Sequence, residues 1–533
     1  MGSFSISIML IDIKNNKYIF FSNISTYEEE LLDKHLSVAN PKNRYVADLS
    51  NRALWDGVYR YYHRGYRRAP RTMLGMVIKL LVNKNIPFDI VDSRPEDKTT
   101  IVDANDINTD FLPGISLMDY QVEAIRKATK SEVGIFDIPT GGGKTEIIAG
   151  ICKAISAPQT IILADQIIIV RQIKERLDLR DIADVGVFYA GKRPSGQTIV
   201  VGSPVSLVLP KPPVEPEKSD PNYKRKLKAY ETKIAAFKTR KKNAKILQEY
   251  VKRSDLIIVD ECDRASSETH KYIFKYLYNG RRRYGFSGTP VDPDKPVQEY
   301  RMISHLGSVI YKQDRQNLEN LNRILPFTYR MIVVDGNIHD ARTYDSAQTD
   351  FLVENVSLHN MISALCLKHR HSEATGKNGI LVLVDRDPFG ENLKLNMLAR
   401  GLTAEFIHGK TSKSKNKETI EAFQRREIDV LIGGKIIGRG LDLKGGCEYL
   451  IDLTCGKSTS EFIQRMGRAV RLNKLGRAIV YGMFYRCNKH FYSHSKKKLN
   501  IVLDMGYPVE VYHKFGMISG QDLKNRNYRF PSK

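Results

Sequence analysis

Apolar and polar residues alternate in parts of the first hundred positions, as at Phe4-Ser5-Ile6-Ser7-Ile8 and Tyr18-Ile19-Phe20-Phe21, a period of two that predicts half-buried strands. At 72–82 the period lengthens, and Met73, Met76, Val77, Leu80 and Leu81 fall on one face of a helix. Residues 1–112 therefore read as a small α+β domain. Beyond 113 the pattern changes to short apolar runs at 133–138, 160–164, 198–201, 256–259 and 284–287, separated by helix-like stretches. Strands alternating with helices predict a parallel sheet, with ligands at the carboxyl ends of its strands. Runs at 379–384, 404–408 and 429–432 repeat the arrangement. The expected class is α/β: two tandem parallel-sheet lobes at 113–303 and 304–487, and a basic C-terminal extension at 488–533.

The first lobe carries an insertion at 210–253. It opens with Pro210, Pro212, Pro213, Pro216 and Pro221, and residues 222–253 then hold 12 Lys and Arg against Glu231 and Glu249 alone. Leu227, Tyr230, Ile234 and Phe237 recur at three- and four-residue spacing, as do Leu247, Tyr250 and Val251. One or two basic amphipathic helices are expected, either gripping a nucleic-acid duplex through Lys224, Arg225, Lys241 and Lys242 or standing as a solvated excursion.

The chemistry concentrates at strand ends. Pro139-Thr140-Gly141-Gly142-Gly143-Lys144-Thr145 lies between an apolar run and a helix-like stretch, the layout of a phosphate-binding loop. Its free backbone N–H groups cradle a polyphosphate, Lys144 reaches the β- and γ-phosphates and the Thr145 hydroxyl holds Mg²⁺. The GxxxxGK pattern wants Gly where Ile138 stands, and a glycine-rich turn with a solvated lysine is the plainer alternative. Downstream, Ile257-Ile258-Val259-Asp260-Glu261-Cys262-Asp263 is an apolar strand ending in carboxylates. Asp260 is placed to hold Mg²⁺ and Glu261 to take a proton from an attacking water. In Gln464-Arg465-Met466-Gly467-Arg468-Ala469-Val470-Arg471, Arg468 and Arg471 stand one helical turn apart and suit a γ-phosphate. A basic helix face is the commoner meaning of one Arg-x-x-Arg.

Seven segments in order over 117–471 make the chain resemble the superfamily 2 helicases. Leu117-Met118-Asp119-Tyr120-Gln121 is similar to the adenine-reading Q motif, and Pro139 to Thr145 to motif I. Residues 161–170 resemble motif Ia, Asp260 to Asp263 motif II, and Phe286-Ser287-Gly288-Thr289-Pro290 motif III. Residues 430–443, with Gly438-Arg439-Gly440-Leu441-Asp442, resemble motif V, and Gln464 to Arg471 motif VI. The resemblance implies two RecA-like lobes, ATP and Mg²⁺ as cofactors, and a cleft whose closing and opening step the protein along a strand. It implies catalytic roles for Lys144, Asp260, Glu261, Gln464, Arg468 and Arg471. Gln121, Thr140, Gly141, Gly142, Gly143, Thr145, Gly440 and Asp442 are the nucleotide contacts, and Ser287, Gly288 and Thr289 the coupling element. Ser203, in the place of motif Ic, and Lys410 and Thr411, on a loop of the second lobe, are the implied nucleic-acid contacts. The chain departs from the family pattern with Met118 where Arg is usual, Cys262 and Asp263 in motif II, and Gly434 and Lys435 in motif V. Leu54-Trp55-Asp56-Gly57-Val58-Tyr59-Arg60-Tyr61-Tyr62 and the linker Phe111-Leu112-Pro113-Gly114 resemble phage branch-migration helicases of the UvsW type.

Composition narrows the partner. The 533 residues carry 84 Lys and Arg against 60 Asp and Glu, a formal net charge of +24, and a sequence pI near 9.5, which points to an anionic polymer. Arg60, Arg64, Arg67 and Arg68 interleave with Tyr59, Tyr61, Tyr62 and Tyr66, a pattern that grips phosphate and stacks on bases or lines a solvated basic turn. Lys496-Lys497-Lys498 is either a further contact or part of a tail packed on a lobe. Six cysteines without a C-x-x-C pair argue against a disulfide frame or zinc site. No apolar run is long enough for a membrane span and no signal peptide is expected, so the expected location is the cytoplasm, that of the host if the chain is phage-encoded. The expected function is a nucleic-acid-dependent ATPase that translocates on DNA and unwinds or branch-migrates forked or crossed duplexes in replication, recombination or repair. The alternatives are an RNA helicase, a duplex-DNA translocase that leaves strands paired, and a non-catalytic clamp.

Overall fold

The computed structural model describes residues 8–41, 56–182, 184–292, 294–372, 376–409, 411–434, 446–456, 458–469, 473 and 475–531, without the side chains of 413, 468 and 469. By chain proximity they divide into two units, residues 1–138 with 143–313, and residues 139–142 with 314–533.

The first unit is built on a seven-stranded sheet, every pairing of which is parallel. Its order runs Val185–Phe188, Ile199–Gly202, Thr160–Leu163, Leu256–Asp260, Arg282–Ser287, Val133–Asp137 and Val309–Lys312. The central strands are buried on both faces, which is why they read as continuous apolar runs. Two strands escaped the sequence pattern: Val185–Phe188, interrupted by Gly186, and the half-exposed Val309–Lys312. The second has a consequence for the expected boundary at 303/304. Because Val309–Lys312 pairs with the strand of the phosphate loop, the first unit runs to 313.

Residues 1–112 supply a four-stranded sheet, Arg68–Pro70, Tyr18–Ser22, Met9–Ile13 and Phe88–Asp92, with the helix Leu74–Asn83 across it. Met73, Val77, Leu80 and Leu81 are buried there as the periodicity predicts. Tyr300 and Ile303 of the helix Pro296–Leu306 pack against this same core, so the segment shares its interior with the rest of the unit. Trp55 lies outside the described residues.

The insertion forms one helix, Tyr223–Arg253, of 31 residues. Its C-terminal third is docked: Ala244, Leu247, Gln248 and Val251 are buried, and Gln248 Nε2 donates to Leu207 O at 2.8 Å. Upstream, Leu227, Tyr230, Ile234 and Phe237 are only partly covered and the lysines and arginines between them are exposed.

The second unit has an eight-stranded sheet, ordered Ala404–Ile407, Val430–Gly433, Ile380–Leu383, Tyr449–Asp452, Ala478–Tyr485, Phe327–Val334, Val509–His513 and Gly516–Ser519. All pairings are parallel except the last hairpin. The extension expected at 488–533 is thus the rim of this sheet. Its helix Lys489–Asp504 buries Phe491, Leu499 and Val502, and Lys498 is held inside by Asp452 Oδ2 and Thr454 O, each at 2.6 Å. Of the two readings of the lysine run, Lys498 follows the packed one. Both units are RecA-like parallel-sheet lobes, and the fold class is α/β.

Candidate functional site

The strand Val133–Asp137 runs through the loop into the helix Lys144–Ala154. Gly142 N donates to Pro139 O at 3.0 Å, and Gly141 and Gly143 turn the chain at φ of 92° and 72°. Gly143 sits at a positive φ that favours glycine, and a Cβ there would lie 2.3 Å from Gln121 Nε2, whose side chain would have to move aside. Gln121, expected to read adenine, lies buried against the loop, with its Oε1 accepting from Met118 N at 3.0 Å. Thr140 and Thr145 are partly covered.

At the end of Leu256–Asp260 the chain turns sharply, with Glu261 at φ 50°, a left-handed conformation that a non-glycine residue rarely holds. This turn aims the Glu261 carboxylate back at the loop, and Lys144 Nζ donates to its Oε1 at 3.1 Å. Burial opposes the Lys144 charge, but Glu261 and Asp260 outweigh it and hold its pKa above the ordinary lysine value. Asp260 is pushed up to about 6 by burial and by Glu261, against Lys144. Asp263 is pushed up to about 7 by burial and Glu261. Asp137, at the end of the loop's own strand, rises to about 6 through burial, with Lys312 and Lys144 opposing. Asp260 Oδ1, Glu261 Oε2 and Thr289 Oγ1 are buried and have no hydrogen-bond partner. Orphaned carboxylate oxygens beside a lysine and a glycine cradle fit a divalent cation and a polyphosphate.

Motif III joins these elements. Ser287 Oγ donates to Asp263 Oδ1 at 3.4 Å and accepts from Thr289 N at 3.1 Å, while Ser287 O accepts from Ile138 N at 2.9 Å. One buried serine, followed by Gly288, therefore touches both the carboxylate turn and the entry to the phosphate loop.

In the second unit Gln464 lies half-buried on the helix Thr459–Ala469. Its neighbour Arg465 donates to Thr454 Oγ1 at 2.6 Å, and Thr454 Oγ1 in turn donates to Asp452. Arg468 is in the same helix, but its side chain, like Arg471, Lys410, Gly440 and Asp442, lies outside the described residues. Thr411 N donates to His408 O at 3.2 Å.

The sequence-predicted nucleic-acid residues divide into two groups. Lys224, Arg225, Lys241 and Lys242 stand exposed along the long helix. The N-terminal arginines are engaged within the fold. Arg64 pairs with Asp33 at 2.9 Å, Arg60 with Asp56, and Arg67 approaches Glu29 at 3.9 Å. Arg68 lies over the rings of Tyr18 and Tyr66. Glu29 and Asp33 belong to the helix Thr26–His35, far in sequence, so the pairing was not legible from the basic segment itself. Ser203 is buried, and its N donates to Phe188 O at 3.1 Å. Beside it the structure gathers a group the sequence pattern missed. Tyr189 accepts from Arg171 Nε at 3.2 Å and lies under Lys192, on a turn where Ala190 and Gly191 have φ of 46° and 89°.

Two family models match the chain: the type III restriction enzyme res subunit over residues 114–292 and the helicase conserved C-terminal domain over 360–473. Together they cover more than half of the 533 residues. The chain belongs to the superfamily 2 helicases. Helicase 22 of a Sulfolobus islandicus filamentous virus is 26% identical over 268 residues, 48% of this chain and 47% of that relative. DEAD-box ATP-dependent RNA helicase 28 of Oryza sativa is 26% identical over 121 residues, 23% of this chain and 14% of that protein. This helicase thus spans about half the length of the first of these relatives and much less of the second. The crystal structure of UvsW from bacteriophage T4 aligns over 95% of this chain and 99% of its own, at 12% identity and a TM-score of 0.41. Among the described residues no helix is long and apolar enough to cross a membrane.

Proposed function

We propose that this superfamily 2 helicase is an ATP-dependent DNA helicase or translocase that unwinds or branch-migrates forked and crossed DNA. The observation that carries the ATPase reading is the Lys144 to Glu261 contact of 3.1 Å beside an Asp260 oxygen without a partner. Bound there, Mg²⁺–ATP supplies the scissile phosphoanhydride and the cation that offsets its charge. Lys144 exchanges Glu261 for a phosphate oxygen, which frees Glu261 to accept a proton from the attacking water. Asp260 and Thr145 would hold the cation. Gln464, Arg468 and Arg471 are assigned to the γ-phosphate charge, and Ser287, Gly288, Thr289, Gly440 and Asp442 to coupling.

DNA as the track is supported by the net charge of +24, the exposed cations of Tyr223–Arg253, and the motif resemblance to branch-migration helicases. Arg171 and Lys192 add two cations at the strand ends, both held against the buried ring of Tyr189. RNA is the second reading, favoured by the similarity to a protein named as an RNA helicase. The test is phosphate release at one fixed salt with no nucleic acid, single-stranded DNA, duplex DNA, a four-way junction and RNA. Strongest stimulation by junction or duplex supports the proposal. Strongest stimulation by RNA replaces the track and keeps the motor. Stimulation by duplex without strand displacement leaves a translocase.

A further inference from the structure

Glu146 stands in the first turn of the helix Lys144–Ala154, one residue past Thr145, and the hydrolysis reading gives it no role. It is buried, and its carboxylate faces two arginines. Arg180 Nε donates to Oε2 at 2.9 Å and Nη2 to Oε1 at 3.0 Å, and Arg176 Nη1 lies 2.9 Å from Oε1. Both arginines come from the C-terminal end of the helix Ile167–Leu179, Arg176 in its last turn and Arg180 as its cap. Arg180 Nη1 also donates to Pro113 O at 3.0 Å, in the stretch leading to the helix that bears Gln121.

Local stability does not call for this arrangement. A carboxylate in a first helical turn is already favoured by the helix dipole. A buried ion pair costs about as much in desolvation as its attraction returns, and apolar side chains would fill the space as well. What the pair adds is direction, because a two-pronged guanidinium–carboxylate contact is satisfied in one alignment only. That alignment fixes the turn carrying Lys144 and Thr145 against a helix whose other end continues from the segment resembling motif Ia.

We infer that Arg180, with Arg176, is a positioning residue that ties the helix Ile167–Leu179 to the first turn of the phosphate-loop helix, so that nucleic acid engaged by Arg171 on the one sets Lys144 and Thr145 at the other. The inference rests on the reading of the protein as a nucleic-acid-stimulated ATPase. The relay needs no residue between the two helices, since both arginines reach Glu146 directly.

The experiment measures phosphate release by the full chain as wild type, R176Q, R180K and E146Q, with and without saturating duplex DNA and across ATP concentration. Arg176 is 42% exposed, so R176Q keeps the fold even if the buried changes do not. The expected result is a basal rate and KM for ATP within about two-fold of wild type for R176Q and R180K, while stimulation by DNA falls roughly five-fold, within the range seen along packed coupling networks. E146Q should lose at least as much stimulation as R180K, because it takes the counter-charge from both guanidiniums. Unchanged stimulation in every variant overturns the inference. So does a parallel fall of basal and stimulated rates with a lowered Tm, which assigns the contact to packing. A wild type that hydrolyses ATP without any stimulation by nucleic acid overturns the proposed function, and the coupling with it.

Discussion

At the residue scale the candidate nucleotide site is a cluster of carboxylates around one lysine. Replacing Lys144 by Ala should abolish turnover, with phosphate release as the measurement, because Lys144 is the cation that Glu261 meets among the described residues. Glu261→Gln should still bind ATP but hydrolyse it at least ~100-fold more slowly, the range for loss of a general base. Near wild-type turnover would remove Glu261 from that role. A third residue-scale prediction concerns His305, which is buried against Phe274 with Nδ1 2.9 Å from Ala265 O. Burial lowers its pKa to about 3 against an ordinary 6.5. The unfolded chain therefore binds a proton that the native state refuses, and stability is lost as pH falls from 6.5 toward 3. Chemical denaturation of wild type and His305→Asn at pH 7 and pH 5 should show the wild type losing about 2 kcal/mol more than the variant over that interval. Equal losses would mean that His305 does not titrate with unfolding. The loop and the two carboxylates were legible in the sequence because each lies in a contiguous motif. Asp137 and Tyr189 were not, since their environment comes from strands and helices distant in the chain.

At the element scale the long helix decides how the insertion can be tested. Removing 222–253 outright would also remove Leu247 and Val251 from the interior of the first unit. Neutralising Lys224, Arg225, Lys241 and Lys242 to Gln leaves that anchorage intact. If this helix grips duplex, the slope of log K against log salt should become shallower by about 0.9 for each phosphate that is no longer neutralised. An unchanged slope would make the upstream two-thirds of the helix a solvated projection. The periodicity at 227–237 correctly announced an amphipathic helix, yet its apolar stripe is only partly covered. A stripe in sequence says that a face is apolar, and not what covers it.

At the scale of the whole molecule, residues 1–112 are joined to the first sheet by a polar seam. Glu132 takes Arg71 Nη1 at 2.7 Å, Arg94 Nη1 at 2.9 Å and Arg281 Nε at 2.5 Å, while Arg283 Nη2 donates to Asn16 O at 2.7 Å. Arg71, Arg282 and Arg283 are buried in it. Glu132→Gln should therefore lower the stability of the unit by roughly 3 kcal/mol, read by chemical denaturation, because partners of a buried pair are left without their counter-charge. A fall of less than about 0.5 kcal/mol would show that solvent reaches the seam and screens it. Truncation at 112 should lower the Tm of the remaining chain for the same reason. Continuous apolar runs, the glycine loop, the carboxylate pair and the order of the motifs were set by sequence alone, because each depends on neighbours within a few residues. They determined a parallel α/β chain with a glycine loop and a carboxylate pair at its strand ends. Only the tertiary structure decided that the N-terminal arginines answer Glu29 and Asp33, that Lys498 is buried on Asp452, that the last 40 or so residues close the second sheet, and that Arg180 reaches Glu146. Most of these join residues far apart in the chain, and a charge in sequence does not name its partner until the fold brings one within reach.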